Sequence, residues 1–226
     1  MLQSSPANGQ AIAAYIAGAP HHVLPSEVAD MARLCLADWL GVAIGAADEP
    51  AGRIVREVAA GWHSEGRATV LFGATAAAPF AALANGTLAH CLDFDDTYVR
   101  AITHTSAPVW AATLALGEEN GADEAAMLSA FVTGFETAAR IGDGLGEPVS
   151  ARGRHGTGVF GRLGAAAAAS VLLRLDAERV LHALGAAATQ TGGLTASFSA
   201  KPESRINAAL VNRALANFVT KTCSLP

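Results

Sequence analysis

The chain has 226 residues, 51% of them hydrophobic and 15% charged, with a mean hydropathy of +0.32 and 6% aromatics; this excludes a disordered chain, and the alanine-rich apolar share points to closely packed helices. A formal charge of −5 with no run of Lys or Arg leaves no footprint for nucleic acid. Three scattered cysteines, Cys35, Cys91 and Cys223, exclude a disulfide framework or a paired-cysteine metal knuckle and suit a reducing cytoplasm.

Residues 1–10, MLQSSPANGQ, lack the basic start and apolar core of a signal peptide and read as a frayed terminus. Ser26 and Glu27, followed by Val28, Met31, Cys35, Trp39 and Val42 at three-and-four spacing, predict an amphipathic helix over 26–46 that Gly45 ends. A polar, glycine-containing segment leads to 67-RATVLFG-73, where residues 69–72 form a short extended piece, and an alanine-rich helix follows from about 78 to 96. The apolar run over 67–89 is interrupted by Gly73, Pro79, Asn85 and Gly86 and rests on Ala, which predicts a buried helix instead of a membrane span.

Pro108 suits the first turn of a helix to about 118, and Asp123 in the turn 119-ENGAD-123 caps another over about 123–141, which carries the Glu136–Arg140 pair and stops at Gly142. Six glycines in 142-GDGLGEPVSARGRHGTG-158 predict a loop of that length, and loops so long in a compact domain usually carry function. Helices are expected over 160–173, 176–189 and 203–220, the last opened by Pro202. With no strand–helix alternation, the prediction is a single all-α domain over 1–226.

Three stretches carry chemistry. In 90-HCLDFDDT-97, a continuing helix places Asp93, Asp96 and Thr97 on one face with His90 a turn earlier, while Asp95 points elsewhere. Packed carboxylates repel, and partial burial drives at least one toward its neutral form, as a proton donor near neutral pH requires. DFDD also fits the DxDD pattern of protonation-initiated terpene cyclases, but a second acidic cluster is absent, so no metal is expected.

The second stretch, 156-GTGVFG-161, matches the dinucleotide fingerprint GxGxxG, but polar 147-EPVSARGRH-155 occupies the place of the required buried strand, so no nicotinamide or flavin is expected. What survives is a glycine-rich entry to a helix N-terminus beside Arg152, Arg154 and His155, a natural seat for a carboxylate. The third stretch places His104 in the loop before the Pro108 helix. His21, His22, His63 and His90 read as unremarkable, His182 as a helix-surface residue, and Lys201, before a proline in a linker, as solvated.

In these stretches, and in 31-MARLCLADWLGVAIGA-46, 131-FVTGFETAARIG-142 and 184-LGAAATQTGGL-194, the chain resembles the MmgE/PrpD family. That family includes 2-methylcitrate dehydratase, cis-aconitate decarboxylase and iminodisuccinate epimerase. The resemblance implies a helical domain bearing most of the active site, a smaller α+β lid absent from these 226 residues, a homodimer, and no need of metal or organic cofactor. It implies active-site roles for Asp93, Thr97, His104, His155 and Lys201, with Arg154 and Lys201 neutralising the carboxylates of a small di- or tricarboxylic acid. Asp93, His104 and His155 would share the acid–base work of a dehydration, with Thr97 orienting by hydrogen bond; acid and base are not distinguished. Tyr98 stands where the family usually has His, and 201-KPESRINAA-209 departs from the family's KPLHAGRAA-like turn.

Overall fold

The computed structural model describes residues 6–196. Eight α-helices make up the fold among these residues: α1 (Pro6–Gly18), α2 (Ser26–Gly45), α3 (Pro50–Gly61), α4 (Ala78–His90), α5 (Ser106–Asn120), α6 (Glu124–Ala151), α7 (Arg162–Leu172) and α8 (Ala177–Thr189). The helical class expected from the alanine content is observed, and the extended piece expected over 69–72 is shorter and paired: β1 (Ala68–Thr69) and β2 (Thr75–Ala76) form a two-stranded antiparallel sheet, Ala68 opposite Ala76. The predicted helix over 203–220 and Lys201 lie outside the described residues.

Helices α5 and α7 form the centre, with α4 and α6 against them. Both are buried along most of their length because small side chains let backbones approach on several sides. The closest approach joins α6 to α7: a Cβ at Gly134 would sit 2.6 Å from the Gly164 carbonyl oxygen, and one at Gly164 would sit 2.7 Å from the Gly134 carbonyl oxygen. Larger groups fill the remaining space. Trp110 stacks on Phe131 with ring centroids 4.2 Å apart, and buried Trp39 donates its indole N–H to the Ala107 carbonyl at 3.1 Å.

Several elements differ from expectation. The stretch read as frayed carries α1, whose Ala13 and Ile16 enter the core, and the polar segment after α2 contains α3, with Gly52, Val55 and Ala59 buried. On α2 the buried face is Ala32, Trp39, Val42 and Ala43, while Met31 is exposed, so the apolar stripe is rotated from the predicted one. Helix α4 ends at His90 instead of near 96, with a capping bond from Cys91 N–H to the Thr87 carbonyl. Helix α6 runs through most of the predicted 142–158 loop, as far as Ala151, and contains Pro148.

The glycines that suggested a loop serve close packing instead. A Cβ at Gly142 would stand 2.5 Å from that of Ala101, and one at Gly146 would stand 3.2 Å from the Ala101 Cα. A single 3-10 turn, Val99–Ala101, therefore lies directly on α6. The Tyr98 hydroxyl donates to both Asp143 carboxylate oxygens at 2.9 and 3.0 Å, and Arg100 Nε pairs with Asp143 at 3.0 Å.

Candidate active site

The acidic motif is a loop folded back on itself. Past His90 the chain enters the left-handed region at Asp93 (φ 55°), pairs Tyr98 with Thr103 in an antiparallel bridge, and turns left-handed again at Ile102 (φ 48°). The expected single helical face of Asp93, Asp96 and Thr97 is therefore absent, because α4 stops before it. The excursion instead brings 93–97 alongside His104.

Each aspartate has a separate environment. Asp93 is exposed, with Oδ1 3.4 Å from His104 Nε2. Asp95 is buried, and its Oδ1 and Oδ2 lie 3.1 and 3.0 Å from His90 Nδ1. Asp96 accepts from Ser106 Oγ at 2.8 Å and from Ser106 N–H at 3.3 Å, placing a carboxylate at the positive end of α5. Asp96 is the carboxyl that burial pushes upward, against the lowering effect of the Ser106 hydrogen bonds. It is thus a helix-terminus ligand and does not share a face with Asp93.

His104 is held from several sides. Its backbone N–H donates to Thr157 Oγ1 at 2.9 Å, while its Nδ1 lies 3.1 Å from the Asp95 carbonyl, 3.3 Å from Asp95 Oδ1 and 3.4 Å from Thr97 Oγ1. His155 enters from the other half of the chain, its ring stacked on His90 with centroids 5.9 Å apart and planes 13° from parallel. Burial, followed by the charges of His90 and His104, lowers the His155 pKa to about 4, so the imidazole is neutral near pH 7. Burial also lowers that of His90, but the hydrogen bond and charge of Asp95 outweigh it and leave the net shift upward.

The segment before α7 is fixed by the chain that follows α8. His155 N–H donates to the Gly193 carbonyl at 3.1 Å, Thr195 N–H to the Gly153 carbonyl at 2.9 Å, and Arg154 bridges Leu194. The GxGxxG stretch forms a π-helical turn, Thr157–Gly161, leading into α7, with helix α6 upstream where a dinucleotide site requires a strand.

A cavity of about 230 Å³ lies between these segments, lined by Asp93, Ile102, His104, Ser150, Arg154 and His155 among others. Of the residues expected at the site, Asp93, His104, His155 and Arg154 line it, and Thr97 reaches it through His104. Lys201 lies outside the described residues. Sequence reasoning missed His90, read as unremarkable although it sits five residues before Asp95 at a buried helix end. It also missed Thr157, the residue that seats His104.

Two imidazoles and two carboxylates are also a donor set for a borderline divalent ion such as Zn²⁺. His90, Asp93, Asp95 and His104 each offer a ligand atom, all within 4.8 Å of one another. A zinc ion about 2.1 Å from every donor would draw the set closer together.

A central helix pair thus carries a histidine and aspartate cluster and an arginine to one small cavity of a helical domain. The chain belongs to the MmgE/PrpD family: residues 10–216 match the family's N-terminal domain. It is similar to the cis-aconitate decarboxylase-like protein oryM of Aspergillus oryzae, 30% identical over 186 residues, covering 77% of this chain and 38% of that relative. The chain thus spans well under half the length of the relative it matches. No helix among the described residues is long and apolar enough to cross a membrane.

Proposed function

We propose that this chain is the helical, site-bearing part of a lyase of the 2-methylcitrate dehydratase type, removing water from a small di- or tricarboxylic acid. The observation that carries the reading is the convergence of Asp93, His104, His155 and Arg154 on a cavity sized for such an acid. Arg154 neutralises a substrate carboxylate, aided by the helix entered at Gly156, whose first amides lack intrahelical acceptors. Neutral His155 takes the proton from the carbon next to a carboxylate. The electron pair left on that carbon forms the double bond as the neighbouring C–O bond breaks. A proton held between Asp93 Oδ1 and His104 Nε2, 3.4 Å apart, passes to the hydroxyl, which leaves as water. Thr97 orients His104, and Lys201 supplies a second cation to the substrate. The scheme uses no metal or organic cofactor.

Decarboxylation, favoured by the name of the Aspergillus oryzae relative, or epimerisation on the same scaffold is the neighbouring reading. Both share the carbanion-like intermediate and use the same neutralising groups. Incubation of the purified chain with 2-methylcitrate, citrate and cis-aconitate, followed by absorbance of the unsaturated acid and by release of carbon dioxide, separates these outcomes. Turnover that falls about 100-fold or more in Asp93→Asn supports the acid–base assignment. No turnover of any of the three acids sinks it and leaves a helical binding or assembly domain.

The donor set on His90, Asp93, Asp95 and His104 favours a second reading, in which a divalent ion polarises the substrate. Activity lost to a chelator and restored by Zn²⁺ selects that reading. Family resemblance and the scattered cysteines further support a cytoplasmic homodimer, which light scattering on the purified chain checks.

A further inference from the structure

Two residues that the acid–base scheme does not use stand directly behind one that it does. His90 closes α4 at 7% exposure, and Asp95, at 6%, is the one buried aspartate of the acidic motif. The Asp95 carboxylate lies between two imidazoles: 3.0 Å from His90 Nδ1 and 3.3 Å from His104 Nδ1. The Asp95 main-chain carbonyl lies 3.1 Å from the same His104 nitrogen.

A carbonyl and a carboxylate only accept hydrogen bonds, so an imidazole nitrogen facing both carries a proton. Neutral imidazole has one N–H, which leaves the lone pair on the other nitrogen. In His104 that other nitrogen is Nε2, the atom 3.4 Å from Asp93 Oδ1, and both residues line the cavity. A carboxylate buried this deeply needs its own donor, and His90 Nδ1 is placed to give one to either oxygen.

We propose that Asp95 and His90 are positioning residues for His104: Asp95 holds it with Nδ1 protonated and Nε2 turned to the cavity, and His90 anchors Asp95. The catalytic consequence rests on the proton-transfer reading of His104, whereas the tautomer does not. Asp95 is therefore a working member of the motif and more than a folding contact. Thr97, 3.4 Å from Nδ1, is a further neighbour of the nitrogen that Asp95 fixes.

The test uses the full chain labelled with ¹⁵N-histidine, His104→Gln assigning the signal among the seven histidines. Long-range nitrogen–proton spectra near neutral pH are expected to show His104 protonated at Nδ1. Protonation at Nε2 with Nδ1 left bare overturns the proposal whether or not the chain turns over any acid. For the anchor, His90→Asn keeps an N–H close to the Nδ1 position, and His90→Leu does not. Loss of an orienting partner commonly costs 10- to 100-fold in activity, so kcat is expected to fall by about that factor in His90→Leu and Asp95→Asn. KM should stay within about twofold, and His90→Asn should recover most of the loss. A merely structural role predicts that His90→Asn and His90→Leu fall together with their melting temperatures; that pattern, or wild-type kcat in folded Asp95→Asn, overturns the assignment.

Discussion

Acid should destabilise this protein through His155, and the size of the effect follows from its surroundings. The imidazole titrates near 6.5 in the unfolded chain but near 4 in the folded one, where it is buried beside His90 and His104. Between those values the unfolded chain holds a proton that the folded chain refuses, so stability falls as pH drops through the window. Above it the ring is neutral in both states and contributes nothing. The separation of about 2.5 units, at about 1.36 kcal/mol each, sets a ceiling near 3 kcal/mol, most of it expressed by about pH 4.5. His90 has the opposite sign, since its raised pKa makes protonation favour the fold, and Asp93 and Asp95 pull His155 upward. A comparison with His155→Gln, which keeps those neighbours, isolates the His155 share. Urea unfolding at about pH 7 and pH 4.5 should show the wild type losing about 2 kcal/mol more than the variant. Equal losses in the two proteins would refute the placement of a neutral His155 against His90.

The helix crossing, the caps and the seat of His104 give further tests. Gly134→Ala, which drives a methyl against the Gly164 carbonyl, should lower stability by about 2–3 kcal/mol, whereas Gly185→Ala, whose methyl would meet nothing within 4 Å among the described residues beyond its own helix, should raise it by about 0.5–1 kcal/mol. Thermal melts read both, and a Gly134→Ala protein melting at or above the wild type contradicts the close approach. Asp123 and Asp176 accept from Ala126 N–H and Arg179 N–H at the starts of α6 and α8, so each Ala substitution should cost about 1 kcal/mol in urea unfolding and each Ser substitution much less. Thr157→Val keeps the side-chain shape but strands the His104 N–H, costing about 1–3 kcal/mol, while Thr157→Ser retains the acceptor; equal stability of the two counts against that bond.

What could be read in advance was whatever the chain encodes locally. Trp39 and Val42 lie on a buried helix face as their spacing suggests, Asp123 opens its helix as a cap does, and the helix expected from 176 begins there. Gly142 and Gly146 were misleading because glycine has two uses, turning a chain and admitting a neighbour, and only the Ala101 backbone across the gap shows which applies. The end of α4 was illegible for the converse reason: Asp93 turns left-handed without a glycine to announce it. The family resemblance grouped Asp93, Thr97 and His104, where helical spacing had grouped Asp93 with Asp96 and Thr97; the separate tasks of Asp95 and Asp96 depend on His90 and Ser106, whose packing no local pattern encodes. His90 was hidden by its alanine-rich helix, where a histidine resembles any other end residue.

Ile102 sets heat resistance against the rigidity of the cavity wall. A β-branched residue in the left-handed region costs about 1–2 kcal/mol, and this one is 69% exposed, so packing of its side chain returns little of that cost. A screen for higher melting temperature would therefore favour glycine at 102, less the backbone freedom glycine adds to the unfolded chain. Yet the Ile102 carbonyl is the group against which Gly156 packs, where a Cβ would come within 2.7 Å, and His155 is the next residue back. Glycine would relax a peptide that braces the two halves of the site against each other. Variants chosen for ruggedness alone would drift toward chains that melt later and hold the walls of the cavity less firmly.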